Sequence, residues 1–167
     1  MDIRISGTAQ DSIVDGPGLR FTVFTQGCPH CCPGCHNRET HDPLGGRTVD
    51  TEDLIAQMRE NPLLSGLTLS GGEPFAQPEP CLALAQGAKA LGLDVWAYSG
   101  YTYEELIRRG GAVLDMLSVC DVLVDGPFIQ GGRSLELKFR GSRNQRLIDL
   151  AETRKAGEVR LWAPPVW

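Results

Sequence analysis

A chain of 167 residues with 41% hydrophobic content can bury one ordinary core, and it reads as a single domain over 1–167. Its 16 basic and 21 acidic residues give a net charge of -5, the wrong sign for a phosphate-backbone footprint, which argues against nucleic acid as a partner. No apolar run approaches the roughly 18 residues of a membrane span, and the start Met1-Asp2-Ile3-Arg4 has no apolar signal core, so a cytoplasmic protein without membrane association is expected.

Strand-like apolar runs fall at 21–24, 67–69, 93–98 and 122–124, with another expected at 159–162. Helix-like segments lie between them at 51–59, 81–91, 103–109 and 113–119. Alternating strands and helices predict a mostly parallel sheet, because parallel neighbours need long connections that cross over right-handedly. A full eight-unit barrel usually takes about 250 residues. The expected fold class is therefore α/β, an incomplete, open (β/α) barrel, with residues 163–167 as a loose tail.

Four of the six cysteines crowd into positions 28–35, directly after the first strong strand. Such crowding without a secretory signal favours metal binding over disulfides. Cys28, Cys32 and Cys35 give the spacing C-x3-C-x2-C, three thiolates for a 4Fe-4S cluster whose electron-transfer form normally takes four, so that one iron stays open for another ligand. The same segment holds two C-x2-C pairs, Cys28 with Cys31 and Cys32 with Cys35, and a zinc site is the competing reading. Against zinc, Cys31 and Cys32 are adjacent and would both have to turn onto one ion. Cys31 is left as a free thiol, and His30, His36 and His41 are read as loop residues and not metal ligands. Cys81 and Cys120 sit alone in apolar surroundings and read as buried small side chains.

C-x3-C-x2-C after a first strand resembles the hallmark of the radical S-adenosylmethionine (SAM) superfamily. Gly71-Gly72-Glu73-Pro74 follows the run at 67–70 and resembles that superfamily's GGE motif, in which glycines admit a ligand to the backbone and the carboxylate meets an ammonium group. Asp15-Gly16-Pro17-Gly18-Leu19-Arg20 is similar to the DGPG-R segment of activating enzymes of glycyl-radical proteins. The blocks at 98–106, 121–128 and 140–146 resemble those of the anaerobic ribonucleotide reductase activating family.

The resemblance implies a radical SAM oxidoreductase with two cofactors, a 4Fe-4S cluster on Cys28, Cys32 and Cys35, and SAM. SAM would lie along Gly34, Cys35 and His36 and meet Gly71, Gly72 and Glu73 at its aminoacyl end. Reductive cleavage would give a 5′-deoxyadenosyl radical that takes a hydrogen atom from a glycine of anaerobic ribonucleotide reductase. The implied partners are that reductase and an electron donor that the sequence does not identify. No catalytic residue beyond the cluster ligands is expected, because the cofactors carry the chemistry. The rivals are an activator of another glycyl-radical enzyme, such as pyruvate formate-lyase, and a non-catalytic zinc or iron-sulfur module. No role is assigned to Cys31, Ser99, Asp125 or the arginines of 140–146.

Overall fold

The chain forms β1 (Asp2–Ser12), β2 (Arg20–Thr25), β3 (Arg47–Asp50), α1 (Thr51–Glu60), β4 (Gly66–Gly71), α2 (Pro78–Ala90), β5 (Asp94–Tyr98), α3 (Tyr103–Arg109), α4 (Gly111–Val119), β6 (Val122–Asp125), β7 (Arg146–Asp149) and α5 (Leu150–Ala156). This computed structural model describes residues 1–35, 37–134 and 136–164. The expected SAM contact at His36 and the tail residues 165–167 lie outside the described residues.

Local chemistry accounts for the helix starts. Asp50, Thr102 and Asp149 accept from the backbone N–H groups of Glu52, Glu105 and Glu152, closing the first turns of α1, α3 and α5. Helix α2 opens on Pro78, where a missing N–H costs nothing. Helix α5 ends at Gly157, whose φ of 74° lies in the left-handed region.

Among the described residues seven strands form one sheet in the order β3-β1-β2-β4-β5-β6-β7. Its centre is parallel, β2 to β4, β4 to β5 and β5 to β6, and both flanks are antiparallel. The elements expected at 21–24, 67–69, 93–98 and 122–124 are these four central strands. The run at 159–162 is not a strand of the sheet. Leu161 makes a single bridge to Ile148, and Trp162 N–H donates to the Leu147 carbonyl at 2.7 Å, so the segment lies along the outer edge of β7.

The two sheet faces are filled differently. Phe21, Val23, Leu67, Leu69, Val95, Ala97, Leu123 and Ile148 meet Leu54, Leu84, Leu106, Met116 and Leu150 from the helices in the main core. On the opposite face Trp96, Val122 and Val124 pack with Tyr98, Phe139, Leu147 and Trp162, and the Trp96 and Trp162 rings meet edge-on at 5.0 Å between centroids. Arg20, fully buried, also lies beside Trp96, with its guanidinium 5.6 Å from the ring centroid. That guanidinium donates to the carbonyls of Pro17 and Leu67, the Thr68 hydroxyl and the Asp94 carboxylate. The turn before β2 is thus stapled to β4 and β5. Among the described residues no helix is long and apolar enough to cross a membrane.

Candidate iron-sulfur and SAM site

Parallel strands β2, β4, β5 and β6 deliver their C-terminal ends to one edge of the sheet, where such folds place their chemistry. The loop after β2 carries the cysteines. Its two stems are joined by Gly27 N–H to Thr40 O at 2.6 Å and Cys28 N–H to His41 O at 3.1 Å. From beneath, the buried Gln26 amide donates to the carbonyls of Glu39 and Asp42, so the loop's far end is held to the strand that launches it.

The turn after β4 meets this loop through the backbone. Gly72 N–H donates to Thr25 O and Glu73 N–H to Gly27 O, each at 2.8 Å. Both glycines are required by this approach. Gly71 has a φ of 92° and a Cβ there would stand 2.6 Å from Thr25 N, while one on Gly72 would stand 2.4 Å from Gly27 O.

The result is a cavity of about 140 Å³ whose wall includes Cys28, Cys32, Cys35, Gly71, Gly72 and Tyr98. A second cavity, of about 500 Å³, touches Cys28 and His41 from the side of Gln26, Pro29 and Pro43. The three thiols are free and partly exposed. Among the described residues no three His, Cys, Asp or Glu side chains gather on one point. Burial pushes the Cys28 thiol up to about 11, so any metal that took it as a thiolate would release a proton. Burial also drives the Tyr98 hydroxyl upward, and its phenol stays neutral beside the cavity.

Cys31, left over by the spacing, is exposed and adopts a φ of 50°, a left-handed conformation uncommon for a side-chain-bearing residue. Gly34 reaches a φ of 74° with the Gln130 side chain lying where its Cβ would be. Cys81 and Cys120 are fully buried in the main core.

Glu73 sits between the cysteine loop and the ends of β4 and β5. It is fully buried, and its carboxylate, expected to meet a ligand ammonium, is occupied by protein donors. His30 Nε2 lies 2.5 Å from Oε1, Gly100 N–H donates at 2.8 Å, Ser99 Oγ stands 3.0 Å from both oxygens and Phe75 N–H donates at 3.1 Å. His30 also packs edge-on against Tyr101 at 4.4 Å between centroids and covers Gly100 so closely that a Cβ there would stand 2.4 Å from its Cδ2. One side chain from inside the cysteine loop therefore ties the ends of β4 and β5 together through a buried carboxylate.

Asp125, at the end of β6, is equally buried and accepts from Tyr103 N–H and from two nitrogens of Arg146, which also grips Glu104. Asp125 thus faces protein groups, and Gly126 after it reaches the cavity wall. Sequence reasoning missed Gln26 as the loop's tether and Phe128 and Gln145 as wall residues. The usable signal was position, since Tyr98 and Gly126 stand at or just past the ends of parallel strands.

A family described as "4Fe-4S single cluster domain" matches residues 14–148, so the chain is a cluster-binding domain of that class. Among curated proteins, the "Anaerobic ribonucleoside-triphosphate reductase-activating protein" of Salmonella typhi is 40% identical over 141 residues, covering 80% of this chain and 90% of that protein. The proteins of the same name from Salmonella typhimurium and Escherichia coli K12 are 41% and 40% identical with the same coverage. The chain belongs to the family of anaerobic ribonucleoside-triphosphate reductase-activating proteins.

Proposed function

We propose that this chain is a radical SAM enzyme that cleaves SAM reductively and places a glycyl radical on anaerobic ribonucleoside-triphosphate reductase. The observation that carries this reading is the meeting, in one cavity, of three free thiols spaced C-x3-C-x2-C with the glycine turn that ends the neighbouring parallel strand. A 4Fe-4S cluster held by these thiols would supply the electron for reductive cleavage of SAM, and the resulting radical chemistry would remove a hydrogen atom from a glycine of the reductase.

The chain's own residues hold and orient. Cys28, Cys32 and Cys35 ligate three irons as thiolates. Gly34 and Cys35 would lie along SAM, and the backbone of Gly71 and Gly72 would meet its aminoacyl end. Glu73 serves the same end indirectly, by fixing Ser99, Gly100 and His30 around the turn. The sheet is an incomplete, open barrel of radical SAM type, a reading supported by the parallel centre whose strand ends carry the site and by the helices' confinement to one face. An open side suits a substrate that is a loop of another protein.

The test is activation of a purified partner under anaerobic conditions. Reconstituted protein, SAM and dithionite are mixed with either the reductase or a pyruvate formate-lyase, and glycyl radical is read by electron paramagnetic resonance. Radical on the reductase alone is expected, and radical on the lyase alone contradicts the proposal.

A further inference from the structure

The chain is acidic overall, with a net charge of -5, yet residues 126–146 carry Arg133, Lys138, Arg140, Arg143 and Arg146 against Glu136 alone. Arg146 is spent on Asp125 and Glu104. Arg133, Lys138, Arg140 and Arg143 make no ion pair among the described residues. Lys138 and Arg143 are exposed.

These charges border a groove. A cavity of about 330 Å³ has Phe139, Leu147 and Trp162 in its wall with Lys138 and Arg140. It adjoins another of about 200 Å³ through Arg140, Leu147 and Trp162, and the second adds Arg143 and Leu161, itself 66% exposed. Gln145 belongs to this second cavity and also to the wall of the thiol cavity. An apolar and aromatic floor with a basic rim therefore runs beside β7 up to the cysteines.

Resting on the function proposed above, we infer that this groove docks an extended, acidic segment of the reductase and feeds its glycine toward the thiol cavity. A protein of net negative charge repels acidic partners everywhere except at such a patch, so the patch selects both partner and orientation. The aromatic floor takes apolar side chains, which a purely ionic site would not need. A polyphosphate fits less well, because Arg146 already faces two carboxylates and the remaining cations are spread along a run instead of converging on one point.

The test uses the double reversal Lys138→Glu with Arg143→Glu and the milder pair Lys138→Gln with Arg143→Gln, each checked for folding by circular dichroism. Reductase affinity is measured against salt, alongside 5′-deoxyadenosine formation without reductase. The inference predicts reductase binding weakened by about tenfold or more in the reversal and less in the neutral pair, with a shallower salt dependence and partner-free SAM cleavage unchanged. Wild type that activates the reductase, with both variants matching its affinity, overturns the groove alone. ATP binding is measured alongside, and its presence in wild type and loss in both variants with reductase affinity intact would identify a nucleotide site and overturn it too. Wild type that neither binds nor activates the reductase overturns the underlying function.

Discussion

His30 Nε2 lies 2.5 Å from Glu73 Oε1, joining the cysteine loop to the glycine turn across a fully buried carboxylate. Leaving a buried carboxylate short of a donor costs about 1–3 kcal/mol. His30→Ala is therefore expected to fold and to hold less iron and sulfide per chain after reconstitution, with His30→Gln recovering part of the loss. Iron and sulfide analysis equal to wild type in His30→Ala would show that this tie does not position the cysteines.

Gly100 supplies an independent handle on the same contact. A methyl group there would stand 2.4 Å from the His30 ring, which must move off Glu73 to admit it. Gly100→Ala is expected to reproduce the cluster loss of His30→Ala, and the double variant to add little to either single change because the two act on one contact. Additive losses would place the effect of Gly100 elsewhere.

Much of this arrangement was legible in the sequence and some was not. The strands at the centre of the sheet announced themselves as short apolar runs, while the pairing of Cys28, Cys32 and Cys35 with Gly71 and Gly72 came from the family resemblance, and all five line one cavity. Strand β1 escaped because only Ile3 and Ile5 alternate before Gly7 and polar residues break the pattern, and its pairing with β2 is interrupted by register shifts. Strand β7 is four residues long and opens on Arg146, which reads as a surface loop until Asp125 is seen to take its charge. The part of Glu73 was hidden for a different reason. A carboxylate after two glycines looks poised for a ligand, and only the fold reveals that Ser99, Gly100 and His30 reach it first.

Arg146 holds the end of β6 to α3. Its removal leaves Asp125 buried without its cation, a loss of about 3 kcal/mol, so Arg146→Ala should lower the midpoint of denaturant unfolding clearly. Its second partner, Glu104, is drawn below the ordinary carboxyl value of 4.5 by the Arg146 hydrogen bond, and this surface pair is worth only about 0.5 kcal/mol. A carboxyl lowered in the folded state gives stability that is present above its unfolded value and lost as pH falls through the folded one. Glu104→Gln should therefore destabilise slightly at neutral pH and not at all at acid pH below both values. An equal effect at the two pH values would mean the pair acts through packing instead of charge.

The buried Arg20 fixes the turn before the cysteine strand, and Gly66 leaves it room, since a Cβ at Gly66 would stand 2.5 Å from its guanidinium and 2.2 Å from Asp94. Arg20→Ala leaves several acceptors, a carboxylate among them, without their donor and is expected to cost about 3–5 kcal/mol in unfolding measurements. Arg20→Lys should rescue little, because one ammonium cannot serve two carbonyls, a hydroxyl and a carboxylate in the planar arrangement seen here. Full rescue by lysine would contradict the geometry.

The central claim is that three thiols in one cavity carry radical SAM chemistry, and 5′-deoxyadenosine formation tests it most directly. Anaerobically reconstituted protein with confirmed iron and sulfide is reduced with dithionite in the presence of SAM and the reductase, beside Cys32→Ala. The account predicts 5′-deoxyadenosine and methionine from wild type and none above background from the variant. Absence of product from cluster-loaded wild type, or equal product from Cys32→Ala, would contradict it.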